Sequence, residues 1–124
     1  MEGASQLQLR QELLEIKCPV GITQNIIAGK WKLVIIWTLK DGVMRFNELL
    51  RALPEIRQGY LTQQLRELER DGLVHREVYR EVPPKVEYSL TDMGNKFLKV
   101  MDKMFEWGTE YLEFMKSDGC IKEL

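Results

Sequence analysis

The chain has 124 residues, with 18 Lys and Arg against 19 Asp and Glu, a formal net charge of -1 and a single histidine. That length suits one domain burying roughly two-thirds of its unfolded surface, and the near-zero charge excludes a general coat for polyanions, so any nucleic-acid contact must come from a local patch. Apolar stretches stop well short of the ~18–20 residues a membrane span needs, and no basic-then-apolar signal opens the chain, so a cytoplasmic protein without membrane contact is expected.

Residues 5–17 have helical composition but place Leu7 and Leu14 on one face and Leu9, Leu13 and Ile16 on another. Such a segment is hard to bury on one core and fits between its own domain and a partner subunit. Cys18-Pro19 breaks it. Cys18 and Cys120 stand at opposite ends, match no metal-ligand spacing and read as free thiols.

Ile22, Ile26 and Ile27 suggest a short helix over Gly21 to Ala28, stopped by Gly29. From Lys30 to Leu39 the apolar residues point almost all round, which predicts a helix in the middle of the core with Trp31 and Trp37 as anchors. The Asp41-Gly42 turn closes it.

Residues 45–72 read as two amphipathic helices around a tight break. Phe46, Leu49, Leu50 and Leu53 make the first stripe, with Asn47 as N-cap and Pro54 as the stop. Leu61, Leu65 and Leu68 make the second, closed by Gly72 as a left-handed C′ residue. Two stripes joined so closely must cross steeply to share one core, the helix-turn-helix arrangement. Opposite its leucines the second helix carries Gly59, Gln63, Arg66 and Arg70, with Tyr60 and Thr62 on the flanks. Arg matches guanine, Gln matches adenine, a Thr methyl meets thymine, and Gly59 lets the first turn approach a surface. Glu67, Glu69 and Asp71 count against that reading if they face phosphate. Between Arg45 and Leu90 eight basic residues balance eight acidic ones, so charge alone does not decide.

Two strands follow, Val74 to Glu81 and Val86 to Leu90, around the tip Val82-Pro83-Pro84-Lys85; residues 73–90 are thus a wing, with Arg76 and Arg80 as a basic rim. Thr91 and Asp92 start a last helix over 91–116, capped and acid-led. Its apolar band, from Phe97 through Met101, Phe105 and Trp107 to Met115, covers more than half the circumference. One core cannot cover it, so part is expected on a second subunit.

Cys18-Pro19, Gly29-Lys30-Trp31, Arg45-Phe46-Asn47-Glu48-Leu49, the frame LTQQLRELERDGLV, the wing VPPKVEYSLT, Gly94 and Trp107 stand in order across most of the chain. In these the sequence resembles the HxlR-type winged helix-turn-helix transcriptional regulators of prokaryotes. The resemblance implies a mainly α fold with a small β-hairpin, a homodimer built from the terminal helices, a recognition helix for the major groove of double-stranded DNA and a wing at the minor groove or backbone. It also implies transcriptional control, often of neighbouring or self-encoding genes, and a two-fold dimer calls for an inverted-repeat operator. Expected DNA contacts are Arg57, Gln58, Gly59, Tyr60, Thr62, Gln63, Arg66, Arg80 and Lys85. Where the family usually opens this helix with Ile-Ser, the chain has Ile56-Arg57, losing a capping hydroxyl and gaining a charge able to meet phosphate. In some members a cysteine at the place of Cys18 is a thiol sensor, which makes Cys18 a candidate redox site.

No cofactor or metal is expected, and an enzyme is disfavoured: His75 lacks a nucleophile motif, phosphate loop or metal cluster around it and reads as a wing-base residue. A winged helix serving only protein interaction remains the alternative.

Overall fold

In the computed structural model the described residues are Gln8 and 18–117; the expected N-terminal dimer helix, Gln8 apart, and Cys120 lie outside them. The elements in order are α1 (Pro19–Ile26), α2 (Lys32–Thr38) with a 3-10 turn (Leu39–Asp41), β1 (Met44–Arg45), α3 (Phe46–Ala52), α4 (Gln58–Arg70), β2 (Val74–Tyr79), β3 (Lys85–Leu90) and α5 (Asp92–Ser117). This is a mainly helical winged helix-turn-helix with a three-stranded antiparallel sheet in the order β1-β3-β2.

Both predicted stripes enter one core. Leu49, Leu61 and Leu68 are completely buried against Ile35 and Ile36, and Leu53 and Leu65 are buried beside them. At the end of α4 the Leu73 amide bonds the Leu68 carbonyl at 2.9 Å and the Gly72 amide bonds that of Glu69 at 3.1 Å, with Gly72 at φ +84°. That is the paired bonding of a Schellman cap, which a residue with a side chain would adopt only under strain.

Four expectations are corrected. The cap of α3 is Arg45, not Asn47: the Glu48 side chain reaches back to accept the Arg45 amide at 2.7 Å, so the reciprocal half of a capping box sets the start. The sheet has a third strand, β1, pairing Met44 with Tyr88 and Arg45 with Glu87. Lys85 is not in the wing tip but opens β3 opposite Tyr79. And α2 lies in the core but is not covered all round: Ile35 and Ile36 are buried, but Val34 is exposed and Trp37 half-buried. Leu33, Val34 and Trp37 instead line an open apolar groove of about 310 Å³ with Met101, Met104 and Phe105 of α5. Trp31 does pack against the core.

Candidate nucleic-acid interface

The leucine stripe fixes the rotation of α4 about its axis, and therefore which side chains face out. Gln58, Gly59, Gln63 and Arg66 are exposed. Nothing lies within 4 Å of where a Cβ of Gly59 would stand, so the first turn of α4 presents open backbone. Arg57 is the N-cap, extended at φ -82°, with no side-chain bond to the helix amides. Thr62 is half-buried and its hydroxyl donates to the Gln58 carbonyl at 3.0 Å, leaving its methyl as the other end. Tyr60 departs from the expectation, for it packs half-buried against the core and its ring is not a free flank of the outer face. Tyr60 stands next to the apolar stripe, and the neighbouring core takes the ring in.

The acidic residues that argued against DNA are largely engaged. Lys32 is 3% exposed and its Nζ lies 2.5 Å from Glu67 Oε1. Gln63 Nε2 donates to the other oxygen, Oε2, at 3.2 Å. Burial pushes the Glu67 carboxyl up, but the hydrogen bond and charge of Lys32, the bond from Gln63 and the charge of Arg70 outweigh it and hold the group below the usual carboxylate range. Asp71 pairs with Arg70 at 3.7 Å. Glu69 borders a polar cleft of about 250 Å³ between α4 and the wing, lined also by Arg66, Arg76 and Tyr88.

Of the residues of β2 only Val74 is buried, so this outer strand of the wing is exposed along its remaining length. Arg80 follows it, exposed. Lys85 is half-buried, with Nζ 4.4 Å above the Tyr79 ring and 3.9 Å from Glu87. The Tyr79 hydroxyl donates to Glu87, and that bond with the carboxylate charge pushes the phenol up from its usual value. Lys85 is therefore a braced cation, unlike Arg80.

A sequence model of the HxlR-like helix-turn-helix family matches residues 26–116. The chain belongs to that family. It is 50% identical over 109 residues to the HTH-type transcriptional regulator YybR of Bacillus subtilis, across 86% of this chain and 87% of that protein. An HTH-type regulator of Methanothermobacter thermautotrophicus is 48% identical over 105 residues, 85% and 80% of the two chains. Among solved structures the redox regulator HypR in its reduced form superposes with a TM-score of 0.75 at 50% identity, covering 81% of this chain and 99% of HypR. As an HxlR-type protein the chain is a DNA-binding transcriptional regulator and not an enzyme.

Two features of this HxlR-type chain were missed by reading residue types along the helices. Arg76 joins Arg66 at the cleft because β2 folds back beside α4, a tertiary juxtaposition with no local signal. Lys32 is buried in an apolar helix, and its spacing in GKWK carries no hint of a partner on α4. Cys18 is exposed, and its Sγ accepts the Gly21 amide at 3.3 Å as the N-cap of α1. Among the described residues no group of three or more His, Cys, Asp or Glu is arranged to hold a metal, and no helix is long and apolar enough to cross a membrane.

Proposed function

We propose that this regulator binds an inverted-repeat operator as a homodimer in the cytoplasm, with α4 in the major groove and the wing along the minor groove or backbone. The observation that carries the DNA contact is the outward face of α4, where Gln63 and Arg66 are exposed while the leucines behind them are fully buried. In this reading Gln63 and Arg66 reach bases, Thr62 offers its methyl, and Arg57, Arg76 and Arg80 meet phosphates. Gln58 and Gly59 allow close approach of the helix start, and Tyr60 supports the helix from behind.

The dimer rests on α5. Val100, Met104, Trp107, Tyr111 and Phe114 are all exposed, by 44, 40, 65, 43 and 57%. Their spacing alternates four and three, the seam of a helix that packs on another helix. The Trp107 and Tyr111 rings stack at 5.1 Å within this seam, which runs about 21 Å from Val100 to Phe114 along the 26-residue helix. A two-fold dimer on this seam gives equivalent half-sites one helical turn apart, ~34–36 Å, or a multiple of it.

Control by thiol oxidation is supported by the exposed Cys18 and by the likeness to HypR, which is described in both reduced and oxidised forms. Gel-shift against a genomic fragment library tests the reading. Retention of a few fragments, each holding an inverted repeat, is expected; no selection would leave only a protein-interaction module. Sedimentation at micromolar concentration should give a dimer, and Trp107→Glu a monomer.

A further inference from the structure

Among the described residues Lys32 and Gln64 are the buried polar or charged side chains, and Lys32 spends its charge on one partner. That partner, Glu67, divides its carboxylate: Oε1 meets Lys32 Nζ, and Oε2 accepts from Gln63 Nε2 at 3.2 Å. Both Gln63 and Glu67 lie on α4, one turn apart, while Lys32 reaches across from α2. An ionised carboxylate has only acceptors, so it can meet the amide of Gln63 through its NH₂ and is repelled by its oxygen. The buried ammonium keeps that carboxylate ionised and stationary. A glutamine free in solvent would turn either end toward DNA; this one cannot do so without breaking a charge-assisted bond.

The geometry points to Lys32 and Glu67 as positioning residues that decide which base Gln63 reads, by turning its NH₂ inward and leaving Oε1 as the free end. The inference rests on the reading of α4 as the base-contacting helix. An outward Oε1 accepts a hydrogen bond, and in the major groove the bases that offer an exocyclic amino group are adenine at N6 and cytosine at N4. Guanine O6 and thymine O4 are acceptors and face Oε1 unfavourably. The base contacted by Gln63 is therefore adenine or cytosine, and the specificity belongs to a residue pair that touches no DNA.

The test is selection from a randomised duplex pool by the full chain, in the parent, Gln63→Ala, Glu67→Gln and the double variant K32M/E67Q. Gln63→Ala locates the position by flattening it. There the parent should prefer one base pair by on the order of 10-fold, the discrimination expected of one good base contact, and replacing the amino-bearing base of that pair by an analogue without the exocyclic amino group (purine for adenine, 2-pyrimidinone for cytosine) should remove the preference. Both Glu67 variants should accept the reversed base pair at that position, in which the amino-bearing base changes strand, and leave the other positions unchanged. Glu67→Gln strands the charge of Lys32 in the interior, so the double variant, which buries no unpaired charge, carries the result if the single one does not fold. The parent's response to that analogue tests the acceptor assignment with the ion pair intact. Full parent affinity for the analogue without the amino group overturns the inference, and so does a uniform loss of affinity with an unchanged profile in the Glu67 variants, the mark of a merely structural ion pair. A parent that selects no sequence overturns the base-reading function itself, a separate failure.

Discussion

Gly94 sets its bare Cα against the backbone carbonyl of Leu73, with no space for a Cβ between them. The same junction is bonded three ways through Thr91, whose amide donates to the Leu73 carbonyl at 3.0 Å, whose hydroxyl donates to the Gly72 carbonyl at 2.6 Å, and whose hydroxyl oxygen accepts the Gly94 amide at 3.0 Å. The end of α4 and the start of α5 are thereby joined directly. In a dimer held through α5, the separation of the two recognition helices depends on this joint.

Gly94→Ala should accordingly be destabilising by steric conflict alone, on the order of 1–3 kcal/mol or more for overpacking a closed site. Its backbone needs no left-handed conformation, so the effect comes from the carbonyl contact and Gly94→Ser should behave alike. Denaturant unfolding measures it. Stability equal to the parent's would mean that α5 slides off Leu73 without cost.

At Arg57 stability and binding should move in opposite directions. The N-cap lacks a side-chain acceptor for the first-turn amides of α4, and a serine there supplies one, worth roughly 0.5–2 kcal/mol. Arg57→Ser should raise the unfolding midpoint while weakening DNA binding and lowering the salt slope by about one, because a phosphate contact is lost. Thermal unfolding and a salt titration of the same preparation check both halves.

The helix-turn-helix was legible because leucines at helical spacing and the C-terminal glycine of α4 are local signals that tertiary packing reinforced. Gln63 and Arg66 were placed by the same periodicity, counted from Leu61. What escaped depends on contacts between distant segments. β1 is two residues long and too short to carry a period, and it exists because β3 offers it an edge. Asn47 is a favoured cap by type, but Glu48 bonding to the Arg45 amide moves the start two residues earlier. Nothing at Lys32 signals its burial, because lysine rarely enters a core, a rule that fails when a carboxylate on the neighbouring helix meets it.

Salt dependence should separate the cations of the interface. Arg66→Ala should cost roughly 1–3 kcal/mol on the best operator and relax one base pair, whereas Arg80→Ala should weaken all sequences alike and reduce the salt slope by about one. Lys85→Ala should change that slope less than Arg80→Ala, since the Lys85 ammonium already sits over Tyr79 and near Glu87. Equal slopes for the two wing variants would contradict the bracing of Lys85.

Acid stability should report the Lys32–Glu67 pair. The Glu67 pKa is lowered in the folded chain from the ordinary 4.5, so its contribution to stability is present above that value and is lost as pH falls through the folded pKa. In Lys32→Met only burial and weaker partners act on the carboxyl, and stability loses that contribution less steeply with acid. The difference in melting temperature between parent and Lys32→Met should therefore narrow as pH drops below about 4.5. A constant difference from neutral to acid pH would show that the pair contributes through packing alone.

Oxidation should act on DNA binding through Cys18. Its thiol is exposed and caps α1 by accepting the Gly21 amide at 3.3 Å, so a group attached to sulfur perturbs the start of that helix. α1 in turn borders a groove with α5 in which Thr23, Ile26 and Ile27 face Met93, Phe97 and Val100. A displaced α1 would disturb α5 near the joint at Gly94, and with it the spacing of the two recognition helices in a dimer. Diamide joins two thiols by taking two electrons and two protons, becoming the hydrazine while a disulfide forms between Cys18 and a second thiol, on a partner subunit or a small molecule. Operator affinity is to be measured with and without diamide in the parent, in Cys18→Ser, which keeps a capping oxygen, and in Cys120→Ser. The expected result is a loss confined to the oxidised chains that retain Cys18, reversed by dithiothreitol. Equal affinity in all samples would remove oxidative control, and a loss that survives in Cys18→Ser but not in Cys120→Ser would transfer it to the other thiol.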